Sequence, residues 1–401
     1  MLNRKVLIFG VSLMSIVFVL AATKSDTLTK LRNIELIPDH DTNPSLLENE
    51  DISKANTIQL ALLLDTSGSM DGLIEQAKSQ LWDILNTMVH IEKGDQETEL
   101  EIALYEYGNP NKATSPMYIS KITDFTTDVD LISEKLFSLA TNGGEEYCGA
   151  VIQNTLESLE WTNGDQLRMI YIAGNESFAQ GPINYLKSCK VAKENNVFIN
   201  TIFCGDKATG KDLQWEQGAN LAGGQFLNIE QNQVTEYVST PFDDQINRLN
   251  ASLNQTYIPY GEKGREKYTN QRIQDSNANS YGKENYRKRS IYKSSKKYKA
   301  DDWDLVDAYK KDKNILNNKE LLQEEQANMT IEELERQIEG ASVERDSIKK
   351  EIQSLSRKAN DYKVEFKKKA SKNHISTLEA QVIKAIKSQA EARGYQLKEQ
   401  G

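Results

Sequence analysis

Between Thr57 and Ile229 two kinds of apolar pattern alternate along the chain. The runs TIQLALLLD (57–65), LEIALYEYG (100–108), LRMIYIAG (167–174) and VFINTIFCG (197–205) are almost continuously apolar. Strands covered on both faces read this way. MYISKITDF (117–125) predicts a shorter strand. Between these runs the apolar residues fall at helical spacing, as at Leu73, Ala77, Leu81, Ile84, Leu85 and Met88. DVDLISEKLFSL, GGEEYCGAVIQNTLESLEW and INYLKSCKVAKENN predict further helices. DLQWEQGANLAGGQFLNI predicts a short helix, a Gly-Gly turn and an edge strand, and VTEYVSTPFDDQINRLNASL closes with a helix. The alternation predicts an α/β domain over 57–250, with a doubly wound, mostly parallel sheet. Ligands of such sheets sit outside the carboxyl ends of the strands. Asp65, Gly174-Asn175-Glu176 and Cys204-Gly205-Asp206 all lie at such ends.

The flanks read differently. Arg4 and Lys5 precede an uncharged run from Val6 to Ala22, with small residues at Ala21 and Ala22. Residues 1–22 are therefore a cleaved signal peptide or an uncleaved membrane anchor, and either places the remainder outside the cytoplasm, as a periplasmic, secreted or outward-facing protein. Residues 23–56 form an acidic spacer with Pro38 and Pro44. Residues 251–318 carry eight tyrosines and few aliphatics, and predict an extended or weakly ordered connector anchored by one helix at 301–310. The basic run 287–299, with seven Lys or Arg, reads as a solvated segment. From Ile331 a heptad seam runs through Leu334, Ile338, Ala341, Arg345, Ile348, Ile352, Leu355, Ala359, Tyr362 and Phe366, with Arg345 as its one charged member. A second seam starts at Ile375. Residues 319–401 thus predict a coiled coil, closing as an intramolecular hairpin or self-associating as a dimer.

Composition adjusts this picture only in part. Apolar residues make up 38% of the 401 and charged residues 27%, so the core must be concentrated in the 57–230 region. The net charge of −10 argues against nucleic acid as partner. The three cysteines, Cys148, Cys189 and Cys204, are either small buried residues or hold one disulfide among them, and their spacing does not suit zinc.

Asp65-Thr66-Ser67-Gly68-Ser69 has the spacing Asp-x-Ser-x-Ser. A carboxylate and two hydroxyls on the turn after a strand make a hard oxygen set suited to Mg²⁺, Mn²⁺ or Ca²⁺. With this motif closing an apolar strand and opening an amphipathic helix, the 57–250 region resembles the von Willebrand factor type A domains. Asp65, Ser67 and Ser69 match their metal-ion-dependent adhesion site. The resemblance implies metal-dependent docking of a protein or acidic polymer ligand, and no catalysis. Two positions depart from the family pattern. Glu145, followed by Glu146, stands where a threonine is usual, and Gly174 stands where an aspartate is usual. Glu145 or Glu146 with Glu176 would rebuild the metal site; otherwise the domain is a metal-free scaffold. A metal-assisted hydrolase built on those glutamates is the enzymatic alternative, but His40, His90 and His374 form no ligand or triad pattern. AGNESFAQGPINY, NTIFCG, WDLVDA and the C-terminal helical segment resemble an exported bacterial subgroup of the same family, which implies architecture rather than a partner.

Overall fold

Every residue of the first strand, Thr57–Asp65, is buried, including the polar Thr57, Gln59 and Asp65 within its largely apolar run. The computed structural model describes residues 56–88, 90–94, 96, 98–110, 117–229, 238–370 and 378–397. The segment 1–22 and nearly all of the acidic spacer lie outside the described residues. Among the described residues no helix is long and apolar enough to cross a membrane.

The elements follow as β1 (Thr57–Asp65), α1 (Ile74–Met88), β2 (Ile91–Glu92), β3 (Glu99–Tyr107), β4 (Ile119–Thr126), α2 (Val129–Phe137), α3 (Cys148–Ser158), β5 (Leu167–Gly174), α4 (Tyr185–Glu194), β6 (Val197–Cys204), α5 (Lys207–Asp212), α6 (Trp215–Leu221), β7 (Phe226–Ile229) and α7 (Asp243–Gln255). The main sheet has the order β4-β3-β1-β5-β6-β7 and is parallel except for the β3–β4 pair. This is the doubly wound layout that the alternation predicts. Along β1, Leu60, Leu62 and Leu64 pack with Ile74, Ile84 and Met88 of α1. Ala61 and Leu63 point to the other face, against Val151 and Ile152 of α3, Cys189 of α4 and Trp215 of α6. The chain leaves β1 for β3 on one side and returns to β5 on the other. The crevice at the carboxyl ends of β1 and β5 is therefore the topological switch point.

Beyond α7 come α8 (Gly264–Ser280), α9 (Lys283–Ser294), α10 (Leu305–Lys311), the single turn α11 (Glu324–Ala327), α12 (Ile331–Ala370), α13 (Leu378–Glu391) and β8 (Gln396–Leu397). The stretch expected to be an extended or weakly ordered connector is thus largely helical. Its polar composition hides a core of tyrosines and paired charges. The basic run is not a solvated segment: Arg287, Lys288, Arg289 and Lys293 are buried. Arg289 donates to Asp130 at 2.6 Å and Asp275 at 2.5 Å, and Lys293 donates to Asp275 at 2.8 Å.

The middle of the heptad seam is occupied by the chain itself, whereas Ile331, Tyr362 and Phe366 are exposed. Leu334 and Ile338 pack with Leu305, Val306 and Tyr309 of α10. Ile348, Ile352 and Leu355 join the main core, and α12 runs along α7 and α9. This packing explains Arg345, the charge in the seam. It is buried, donates to Asp304 at 2.6 Å, Asp307 at 2.9 Å and the Thr256 carbonyl at 2.5 Å, and stacks over Tyr257. The last helix, α13, returns to the sheet domain and packs on α1 and β7. Gln389 exchanges hydrogen bonds with Asn200 of β6, and β8 pairs antiparallel with β2.

Candidate functional site

β1 delivers Asp65 to the switch point, where the register sets it beside Tyr107 of β3. The chain then turns sharply. Asp65 Oδ1 accepts from the Ser67 backbone N–H at 2.8 Å, which fixes the carboxylate as the first residue of the turn. The Ser67 and Ser69 hydroxyls stand 3.0 Å apart. Ser69 Oγ donates to Asn175 Oδ1 at 2.9 Å, and the Asn175 amide donates back to the Ser69 carbonyl at 3.1 Å. The loop after β5 is thereby tied to the loop after β1.

The third loop arrives from α2. Asn142 N–H donates to the Thr66 carbonyl at 2.9 Å, and Gly144 lies so close that a Cβ there would stand 2.2 Å from the Gly108 carbonyl. This approach carries Glu146 inward. Glu146 is buried. Gln180 Nε2 lies 2.9 Å from Glu145 and 3.2 Å from Glu146, joining both to the β5–α4 loop. Gly108 marks where the groups converge. It has φ +80°, and a Cβ there would stand 2.8 Å from Asp65 Oδ1, 3.2 Å from Glu146 Cγ and 3.2 Å from Ser67 Cβ. Asp65, Ser67 and Glu146 thus surround one small space roofed by glycine.

The electrostatics of this space are unfavourable without a cation. Asp65 is fully buried, and its Oδ2 has no hydrogen-bond partner. Burial pushes its carboxyl up to about 7; the Ser67 N–H and hydroxyl pull it down, and Glu146 and Glu176 push it further up. Burial also raises Glu146, with Ser67 opposing it and Glu176 adding to it. A buried carboxylate oxygen without a partner, among like charges, is the arrangement that a hard cation would relieve. Among the described residues no three carboxylates, imidazoles or thiols group closely enough to hold a metal by themselves. Any ion held here therefore needs the hydroxyls as well as Asp65 and Glu146.

The predicted residues divide accordingly. Asp65, Ser67, Ser69 and Glu146 come together. Glu145 and Glu176 are exposed on the rim, and Glu176 acts on Asp65 and Glu146 through its charge. Cys148, Cys189 and Cys204 are buried free thiols, so the disulfide alternative is not formed. Tyr107, Gly108 and Gln180 escaped the sequence reading, and Asn175 was placed only at a strand end; they come from the end of β3 and the loop after β5 and belong to no spaced motif.

Gly174 leaves no room for the aspartate usual at that point. A Cβ there would stand 2.6 Å from Tyr107 Oη and 3.0 Å from Asp65 Oδ2. The Tyr107 hydroxyl, donating to the Ala173 carbonyl at 2.9 Å, fills the space. We expect Gly174→Ala to destabilise the protein by about 1–3 kcal/mol through overpacking. The same change made in a Tyr107→Phe background, which lacks the obstructing oxygen, should cost clearly less. Urea melts of the two single variants and the double variant measure the coupling, and additive losses would show that the clash is not with Tyr107.

In comparisons with known proteins the chain matches no family model and no curated protein. Solved structures similar to it include BatB from Bacteroides thetaiotaomicron, at 15% identity, covering 43% of this chain and 90% of that one with a TM-score of 0.33. The VWA domain of SpRpn10 is similar at 18% identity, covering 48% and 94% with a TM-score of 0.33. Proximal thread matrix protein 1 of the mussel byssus, with a zinc-occupied MIDAS motif, is similar at 13% identity, covering 46% and 44% with a TM-score of 0.32. The fold given for this chain rests on its own strand order and register.

Proposed function

We propose that residues 57–250 are a von Willebrand factor type A module, and that the carboxyl edge of its sheet binds a partner protein with the help of a divalent cation, Mg²⁺, Mn²⁺ or Ca²⁺. One observation carries the reading: the Asp65 carboxylate, whose buried Oδ2 has no hydrogen-bond partner, shares the space at Gly108 with Ser67 and a second buried carboxylate, Glu146. Asp65, Ser67, Ser69 and Glu146 would hold the ion. The ion supplies positive charge at the switch point, offsetting the mutual repulsion of Asp65 and Glu146. Ser67 positions the Asp65 carboxylate, Asn175 orients Ser69, and Gln180 steadies Glu146 from outside. Binding rather than turnover is the activity proposed, at an extracytoplasmic surface as the pattern of residues 1–22 suggests.

Thermal unfolding of the full chain in EDTA, then in each ion, tests the reading. A bound ion should add about 2.7 kcal/mol of stability at a concentration a hundredfold above its Kd. Asp65→Ala should abolish that increment while leaving the protein folded in EDTA. If no ion shifts the transition, the second reading takes over: a metal-free scaffold. The placement of the Tyr107 hydroxyl against Gly174 favours that alternative.

A further inference from the structure

Among the described residues, the loops at the carboxyl edge carry mostly negative charge. Among the described residues there, Asp71, Glu145, Glu146, Glu176 and Asp206 stand against Lys207. Glu146 differs from the others in position. It is 7% exposed, faces Gly108 together with Asp65 and Ser67 and is held by Gln180, so the chain itself places a second carboxylate beside Asp65. Asp71, Glu145, Glu176 and Asp206 are exposed. One divalent ion balances Asp65 and Glu146 and no more. The rim would remain negative with the ion in place, and a carboxylate brought to it would meet like charges, which disfavours association.

We infer that this face docks a basic protein surface, whose lysine or arginine side chains pair with Glu145 and Glu176, and that Glu146 takes the place at the ion that a partner's carboxylate would otherwise fill. The inference rests on the cation reading above and reverses the acidic ligand that the family resemblance implies. The unpartnered, buried Asp65 Oδ2 is the independent sign that the acidic rim surrounds a ligand site rather than a merely solvated edge.

The test uses the full chain with two probes, poly-L-lysine and poly-L-glutamate, and measures Mn²⁺ binding in parallel by electron paramagnetic resonance. Poly-L-lysine should bind, more weakly as salt rises. Because the whole chain carries a net charge of −10, the comparison that decides is between variants. Glu145→Gln with Glu176→Gln should weaken poly-L-lysine binding about tenfold, a difference of about 1.4 kcal/mol. Glu332→Gln with Glu344→Gln, which removes the same charge from the exposed face of α12, should weaken it by less than about twofold. Equal losses from the two pairs would overturn the proposal, as would Mn²⁺-dependent binding of poly-L-glutamate. Failure to bind Mn²⁺ would instead overturn the cation reading beneath it, whatever the polymers do.

Discussion

A chain ended at residue 375 should fail to fold into the sheet domain, even though every predicted strand of that domain lies upstream. The reason is the place of α13. Val382, Ile386 and Ala390 are buried in the core that also holds Leu60, Leu62 and Leu64, and Tyr395 is buried beside Thr57, whose carbonyl accepts its hydroxyl. Removing the helix uncovers α1 and β7 as well as deleting its own side chains. Burial of Val382 and Ile386 alone stabilises by about 1.5–3 kcal/mol each. The buried amide of Asn200 would lose Gln389, at a cost of about 1–3 kcal/mol. Against a total stability of about 5–15 kcal/mol for an ordinary domain, these losses are decisive. The shortened chain should be recovered insoluble or without a cooperative thermal transition, and no divalent ion should restore one. Ile386→Asp in the full-length chain should act in the same direction, which separates the loss of packing from any effect of shortening. A soluble, cooperatively melting 1–375 chain would show that α13 is dispensable.

The sheet was legible because its signal is local. Unbroken apolar runs, with helical spacing between them, specify buried parallel strands whatever lies elsewhere in the chain. The Asp65 motif was legible for the same reason, being five consecutive residues. What failed was any inference that depended on a partner distant in sequence. The run around Arg289 looked solvated because its counter-charges, Asp130 and Asp275, lie on α2 and α8. Arg345 looked like a flaw in a coiled coil because Asp304 and Asp307 are about forty residues upstream. A heptad pattern says that a helix buries one face; it does not say against what. The site repeats this lesson on a smaller scale. Ser67 and Ser69 could be read from spacing, whereas Gly108 is a site residue only because two other loops pass over it.

The Arg289 network should produce the largest effect of any single substitution outside the sheet. Arg289 is fully buried and bridges Asp130 on α2 to Asp275 on α8, while Lys293 also contacts Asp275. Arg289→Met keeps much of the side-chain bulk but leaves Asp130 without its guanidinium partner in the interior. Breaking a buried pair in this way costs about 3–5 kcal/mol. Asp275→Asn tests the other side and adds a pH signature. Burial pushes the Asp275 carboxyl up, but Lys293 and Arg289 outweigh it and hold the group well below the usual carboxylate range. A carboxylate depressed in the folded state stabilises fully above its unfolded pKa of about 3.9, and that contribution is lost as pH falls toward the folded value. The stability gap between the native protein and Asp275→Asn should therefore be widest near neutrality and should narrow below about pH 4. Carboxylates common to both proteins cancel in the difference. Urea melts at neutral pH and at pH 3 measure it, and a gap unchanged between the two would mean that Asp275 is not held ionised by its partners. The site depends on the outcome, since α2 leads directly into the loop that brings Glu146 to Ser67, and loosening α2 should weaken ion binding without altering a single ligand.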